Sequence, residues 1–295
     1  MSAVLETINK VERKPNDYKS EVKPVWCPGC GHFGVLAGIY RALADLDVDP
    51  THLVNISGIG CSSRTPYFVQ SYKMHTLHGR AGPVATGTQL ARPDLTVLVT
   101  GGDGDGFSIG GGHMPHLARK NVDMTYVMMD NRIYGLTKGQ VSPTSRREMK
   151  AYTTPYGGVD NPMNPVLYML TYGATYVGQA FAGNPKMCAG LIKGALSHRG
   201  FAFVNILSQC PSFNKIDTVS YFRELVKAAP EGHDITDVDA AMHIVNVAER
   251  EGKAPVGLLY DCERPTLDEA MAALVKKVGG GPDYDLRRII DRSRP

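Results

Sequence analysis

Residues 95–105 read Leu-Thr-Val-Leu-Val-Thr-Gly-Gly-Asp-Gly-Asp, and residues 124–131 read Met-Thr-Tyr-Val-Met-Met-Asp-Asn. Both open with short apolar, partly β-branched runs that show no polar face. Leu95 to Thr100 and Met124 to Asp130 are therefore predicted strands covered on both sides, as in a parallel sheet. Ile109 to Arg119, opened by glycines, is predicted as the crossover helix between them. Asp103 and Asn131 lie 28 positions apart and fall at the carboxyl ends of these adjacent strands. A carboxylate and an amide oxygen placed there suit Mg2+, which takes oxygen ligands and completes its shell with waters and substrate phosphates. Glycine N–H groups and the following helix N-terminus supply the complementary anion site.

A Gly-Asp-Gly motif followed at this interval by an Asn resembles the thiamine diphosphate enzymes. The resemblance implies that Asp103 and Asn131 hold Mg2+ through their side chains and Ile133 through its carbonyl. It implies that Gly104 and Asp105, with Gly135 and Leu136 in the loop after the second strand, offer N–H groups to the diphosphate.

Six cysteines occur, at 27, 30, 61, 188, 210 and 262. The first two stand in Trp26-Cys27-Pro28-Gly29-Cys30-Gly31-His32. A Cys-x-x-Cys near the start of a chain without a secretory leader points to a metal or redox site rather than a disulfide framework. Cys61 follows Ser57-Gly58-Ile59-Gly60, and Cys210 precedes Pro211-Ser212 after the strand-like Phe201 to Leu207, so all four sit in turns. Four thiolates suit tetrahedral zinc or an iron–sulfur cluster.

Together, Cys-Pro-Gly-Cys-Gly-His, a Gly-x-Gly-Cys turn, Gly-Asp-Gly-Asp and a late Cys-Pro resemble the beta subunit of the 2-oxoacid:ferredoxin oxidoreductases, over about Lys23 to Ser212. The resemblance implies that Cys27, Cys30, Cys61 and Cys210, at intervals of 3, 31 and 149 residues, ligate one 4Fe-4S cluster beside thiamine diphosphate. It implies that the loop Ile59, Gly60, Cys61 and Ser62 touches the diphosphate, so that Cys61 couples the two centres. The cofactor acts as the electron sink for decarboxylation of a 2-oxoacid, the cluster removes electrons one at a time, and coenzyme A takes the acyl group. Cys188, in a predicted helix from Pro185 to Leu196, and Cys262, after Val256 to Tyr260, match no ligand position and read as small buried hydrophobes.

Arg64, three residues past Cys61, offers a planar fork for a second substrate carboxylate. With residues 134–144 it resembles the 2-oxoglutarate-using branch, in which Leu136 would line the substrate pocket, more than the pyruvate-using one; the same chemistry on pyruvate or another 2-oxoacid is the alternative. His78, in His75-Thr76-Leu77-His78-Gly79-Arg80, is a candidate for cofactor phosphate. His75 and Arg80 are polar groups of the same stretch, His113 and His116 read as packing or surface residues, and His32 as a cluster-tuning or turn-stabilising group.

The chain has 295 residues, 43% hydrophobic and 21% charged, with a net charge of +3. That is a globular composition, with too little charge to argue for nucleic acid and no apolar run long enough for a membrane span. A reducing cytoplasm is the expected location, and a local basic patch would steer an acidic electron carrier. The fold class is α/β, a mainly parallel doubly wound sheet with helices on both faces. The expected organisation is an N-terminal arm (1–22), a thiamine diphosphate and 4Fe-4S domain (23–212), and a C-terminal extension (213–295) packed on that domain or a partner. Further expected elements are helices Phe33 to Leu46 and Val84 to Leu90, and strands at Leu53 to Ile56 and Ala174 to Val177.

This length leaves no room for the second domain that holds the cofactor's aminopyrimidine. By the resemblance, an alpha subunit supplies it and helps bind coenzyme A, giving an alpha-beta heterodimer that can pair again as alpha2-beta2 and passes electrons to ferredoxin. Two readings of other classes are a non-redox thiamine diphosphate lyase with structural zinc, and a scaffold subunit with a degenerate phosphate loop.

Overall fold

Strand β3 (Thr96–Gly102) pairs in parallel with β1 (Leu53–Ser57) on one side and β4 (Met124–Asp130) on the other. In this computed structural model, which describes residues 12–279 and 286–294, these three strands are the centre of an eight-stranded sheet. The other strands are β2 (Tyr72–His75), β5 (Tyr176–Phe181), β6 (Phe201–Leu207), β7 (Val226–Ala228) and β8 (Ala254–Asp261). Their order is β2-β1-β3-β4-β6-β5-β8-β7, parallel throughout except where β5 meets β8.

Side-chain alternation along the central strands divides the interior into two cores. Val97, Val99, Tyr126, Met128, Phe201 and Phe203 point to one face, under α3 (Ala81–Ala91), α4 (Met114–Lys120), α5 (Pro165–Thr171) and α8 (Val238–Arg250). Leu98, Val127, Met129, Ala202 and Val204 point to the other, under α1 (His32–Asp45) and α6 (Pro185–Ser197). Burial on both faces explains why these strands read as unbroken apolar runs.

Most expected elements are present with small boundary changes, and four differences have physical causes. The helix expected over 109–119 is replaced by a wide turn at Asp105–Ile109 followed by α4 from Met114. The triplet Gly110-Gly111-Gly112 between them costs a helix about 1 kcal/mol per glycine, and Pro115 sits in the first turn of α4, where proline is tolerated. Edge strand β2 has all four residues exposed, so it carries no apolar alternation to read. His75 consequently lies in a strand rather than a loop. The strand expected at 174–177 runs Tyr176–Phe181, and three-residue β7 is too short to show a period.

In the arm expected over 1–22, residues 1–11 lie outside the described residues. The rest is anchored by Tyr18, whose hydroxyl donates to the Val48 carbonyl (2.7 Å), and by Arg13, 3.0 Å from Asp47. After residue 212, helix α7 (Val219–Leu225), β7, α8 and β8 extend the same sheet, and α9 (Leu267–Lys277) follows. Of the charged end from 283, residues 283–285 and 295 lie outside the described residues, and α10 spans Leu286–Arg292.

Helix α1 approaches α6 and the turn before it closely because glycines line the contact. A Cβ on Gly34 would lie 2.2 Å from the Ala182 carbonyl oxygen in that turn, and one on Gly38 2.9 Å from the Cys188 Cβ in α6. Backbone cannot give way as a flexible side chain can. Gly34→Ala is therefore expected to cost about 1–3 kcal/mol, read as a lower urea midpoint; an unchanged midpoint would show that the helices separate freely.

Candidate functional site

Parallel strands deliver their following turns to one edge of the sheet, and four of these turns meet there. Residues 59–62 after β1, His78 after β2, residues 102–105 at the end of β3 and residues 133–137 after β4 line a cleft of about 180 Å3, with Asn131. Every residue linked above to the diphosphate or to Mg2+ lines this cleft. Of the substrate pair, Leu136 lines it at a 39% exposed position. Arg64 does not line it; it is half-buried at the end of a short 3-10 turn, where its charge acts on Cys61.

The turn after β4 aims its residues by a left-handed step. Arg132 has φ +56°, and Asn131 Oδ1 accepts from the Ile133 N–H (3.1 Å), an Asx turn of the kind Asn favours. Asn131 and Ile133 face the cleft, while Asp130 and Arg132 line a separate cavity of about 270 Å3.

Asp105 contributes more than an N–H. Its buried Oδ1 accepts from Ile59 N (2.9 Å), Gly79 N (2.7 Å) and His78 Nδ1 (2.8 Å), so one oxygen holds two other turns against its own. Donation from Nδ1 leaves Nε2 as the second ring nitrogen of His78, a cleft-lining residue. Gly58 must lack a side chain, since a Cβ there would fall 2.0 Å from Asp105 Oδ2. Tyr134, which the sequence reading named only as the start of the stretch 134–144, covers Gly104: its hydroxyl donates to the Gly104 carbonyl (3.0 Å), and a Cβ on Gly104 would strike its ring at 2.3 Å.

Asp103 is 1% exposed. Its Oδ1 accepts from Asn131 N (3.3 Å), and its Oδ2 lies 2.8 Å from the Thr144 hydroxyl, which is also 2.8 Å from Asp130 Oδ1. One hydroxyl proton cannot serve two carboxylates, so both contacts are hydrogen bonds only while one acid keeps its proton. Burial, reinforced by the neighbouring Asp130 charge, pushes Asp103 up to about 7. Asp130 is also raised, chiefly by burial. Thr144 closes the stretch 134–144 in a Ser-Pro-Thr-Ser turn, and no spacing signals this contact with the two acids.

The four turn cysteines gather beside the cleft. Cys27 is exposed, Cys30 and Cys61 are half-buried and Cys210 is buried, all as free thiols. Burial first, then the neighbouring Cys210, Cys61 and Cys27, pushes Cys30 up to about 12 against its His32 hydrogen bond. Burial, and after it Cys210, raises Cys61. A Cβ on Gly135 would lie 3.5 Å from Cys210 Sγ and 3.7 Å from Cys61 Sγ, which places both sulfurs against a cleft residue. Trp26 Nε1 donates to the Cys61 carbonyl (2.6 Å), and Gly31 N donates to the Gln209 carbonyl (3.0 Å). Among the described residues, no group of His, Cys, Asp or Glu is gathered closely enough to hold a single metal ion.

The remaining candidates lie outside the cleft lining. His32 is buried with Nδ1 2.8 Å from Ser208 Oγ, and burial lowers it to about 4. Cys188 is buried in the α1–α6 interface, pushed up to about 12 by burial, as befits an inert hydrophobe; Cys262 is half-buried. His116 is exposed and His113 half-buried. No helix among the described residues is long and apolar enough to cross a membrane.

Comparison with known proteins assigns a family to this geometry. The family model "Thiamine pyrophosphate enzyme, C-terminal TPP binding domain" matches residues 58–206, and the model for the C-terminal part of the pyruvate ferredoxin oxidoreductase beta subunit matches 210–276. The chain is 45% identical over 253 residues to the beta subunit of 2-oxoacid:ferredoxin oxidoreductase 2 from Aeropyrum pernix, covering 83% of this chain and 82% of that one. It is 46% identical over 202 residues to the 2-oxoglutarate oxidoreductase subunit KorB of Mycobacterium tuberculosis, covering 68% of this chain and 54% of that protein. A solved structure of 2-oxoglutarate:ferredoxin oxidoreductase from Magnetococcus marinus, with 2-oxoglutarate, coenzyme A and succinyl-CoA bound, is 68% identical. It superposes with a TM-score of 0.91 over 97% of both chains.

The buried acid pair makes a pH prediction. The folded chain keeps a proton on Asp103 up to about 7, whereas the unfolded chain loses it near 3.8. The native state therefore binds more protons across that window, and its stability falls as pH rises through it. Without divalent cations, Asp103→Asn is expected to flatten this slope and raise the melting temperature at pH 8. A slope as steep as the parent's would mean that other groups cause it.

Proposed function

The chain belongs to the beta subunits of the 2-oxoacid:ferredoxin oxidoreductases, and from that premise we propose that it carries the thiamine diphosphate and 4Fe-4S half of an enzyme oxidising 2-oxoglutarate. With coenzyme A the products are succinyl-CoA and CO2, and the electrons go to ferredoxin; the same groups serve the reverse carboxylation. The rest of the site comes from an alpha subunit, in an alpha-beta unit that can pair again. The observation that carries the reading is the approach of the Cys61 and Cys210 thiols to the cofactor cleft at Gly135, with Cys27 and Cys30 near enough for their charges to interact with these.

The donor set fits the cofactor. Asp103 and Asn131 supply side-chain oxygens and Ile133 a carbonyl, an all-oxygen set suited to Mg2+. A bound cation also removes the conflict between the two buried acids by favouring the ionised form of Asp103. Gly104, Asp105, Gly135 and Leu136 present N–H groups to the diphosphate, and His78 Nε2 is available to its oxygens. Asp105 holds the turns that carry these groups at fixed separation, and Ile59, Ile133 and Leu136 limit water at the cleft. Thiamine diphosphate, when bound, supplies the electron sink for decarboxylation.

The cysteines suit a cluster. Cys30 feels the neighbouring Cys210, Cys61 and Cys27, and four thiolates are the donor set of an iron–sulfur cluster. Cys27, Cys30, Cys61 and Cys210 would hold a four-iron cluster, which accepts single electrons. Cys61 lies in the diphosphate loop, so the path between centres crosses only a short stretch of this chain.

Two experiments test these assignments. Anaerobic co-purification with the alpha subunit is expected to give a brown complex with about four irons per beta chain, bleached only by 2-oxoglutarate with coenzyme A. Serine at any of the four cysteines should lower the iron content, whereas zinc without colour would refute the redox reading. Arg64, although outside the cleft lining of this chain, is proposed to meet the distal carboxylate in the completed site. Arg64→Leu should raise KM for 2-oxoglutarate about 10- to 100-fold, the loss of a charged hydrogen bond of about 1.5–3 kcal/mol, and leave 2-oxobutyrate little changed. Equal effects on both acids would remove Arg64 from substrate recognition.

A further inference from the structure

Two amides interrupt the buried strands on the side of the β4 turn away from the cleft. Asn205 is the one polar residue of β6, and it stands opposite Gln179 in the β5–β6 ladder; the two are 0% and 5% exposed. Asn205 Nδ2 donates to Gln179 Oε1 (2.8 Å), and Gln179 Nε2 donates to the Pro255 carbonyl (2.8 Å). Asn205 Oδ1 is left enclosed with no donor among the described residues. A buried acceptor without a donor destabilises a fold and calls for an explanation. Both amides line the cavity of about 270 Å3 that Asp130 and Arg132 also line.

Two guanidinium groups line the same cavity. Arg146 lies over the Tyr221 ring, 4.3 Å from its centroid, and Arg132 over the Phe222 ring at 5.4 Å. They share one fully buried counter-ion: Asp217 Oδ1 is 2.9 Å from Arg146 Nε and 3.7 Å from Arg132 Nη1. Ring and carboxylate together fix the plane of the Arg146 fork. Its Nη2 is enclosed and has no acceptor among the described residues. One cavity therefore presents a charged donor and a neutral acceptor, each unmet.

Formal charge narrows the occupant further. Arg132, Arg146 and Lys253 face Asp130 and Glu249 in the lining, and Asp217 behind the arginines completes the balance. An inorganic anion would upset that balance and leave Asn205 Oδ1 unmet; a metal cation would meet the guanidiniums. A zwitterion satisfies both ends, and Met163, Leu207 and Leu225 give the cavity an apolar wall. We propose that this cavity binds a free α-amino acid with an apolar side chain. Its carboxylate sits on the Arg146 fork and its ammonium donates to Asn205 Oδ1.

The test is calorimetric titration of the assembled alpha-beta enzyme with three probes. These are L-leucine, 4-methylpentanoate, which lacks the ammonium, and 3-methylbutylamine, which lacks the carboxylate. L-Leucine is expected to bind about tenfold or more tightly than either, because each analogue forfeits one charged hydrogen bond. Arg146→Gln should weaken L-leucine and 4-methylpentanoate by about that factor and leave the amine unchanged. Asn205→Leu, close in volume, should weaken L-leucine and the amine and leave 4-methylpentanoate unchanged. Where a variant fails to assemble, the parent's ranking of the three probes decides. Equal affinity for all three would overturn the proposal. So would the absence of binding by L-leucine at millimolar concentration, which would give the cavity to water or to the alpha subunit.

Discussion

The parallel register of β3 and β4 is the constraint from which the site follows. Gly102 stands opposite Met129 in that ladder, so the chain leaves both strands at nearly the same level and Asp103 meets the Asn131 N–H. A one-residue slip would turn Asn131 and Ile133 into the position of Asp130 and Arg132, away from the cleft. Two cores hold the register, because every slip would also move Val127 and Met129 from one face to the other. The single antiparallel pairing, β5 with β8, lies beyond β6 and leaves the edge where the turns collect undisturbed.

A glycine lets two of the turns come together. At Gly58 the missing side chain admits the Asp105 carboxylate, which then accepts three N–H groups on one oxygen. Any side chain there would push apart groups contributed by different strands. At Gly135 a Cβ would only touch the sulfurs of Cys61 and Cys210 at ordinary contact distance, so that residue marks where the thiols meet the cleft without being required for it.

The parts of this arrangement legible in sequence are those with a fixed spacing or a strong local pattern. Strand β4 was readable to the residue because seven consecutive buried positions cannot alternate, and Asp103 and Asn131 because each directly follows a strand. The four turn cysteines share turn chemistry, with glycine or proline beside each: Cys27, Cys30, Cys61 and Cys210. Thr144, Tyr134 and the side chain of Asp105 act through tertiary contact alone, and nothing adjacent in sequence marks them. The glycine triplet at 110–112 misled the helix boundary for a related reason: it looks like a helix entrance, but the backbone there is taken up packing on Gly79, where a Cβ would lie 2.5 Å from Gly110 N. Edge strand β2, exposed at all four residues, exists through its pairing with β1.

Asp103 and Asp130 give the edge proposed to hold Mg2+ an apparent waste. Two buried carboxyls joined through one Thr144 hydroxyl cannot both ionise cheaply, so the chain without a cation stores an unfavourable arrangement that a purely structural hydrogen-bond network would avoid. Replacing either acid by an amide would relieve it and would also remove the charge that a hard divalent ion needs. The strain is local because the Arg132 charge beside Asp130 opposes the rise that burial causes there, whereas the neighbouring charge acting on Asp103 is that of Asp130 itself. Asp103 is thus the acid most in need of positive charge and the one that faces the cleft, so a cation held there, as proposed, would gain the relief of a penalty already present in the fold.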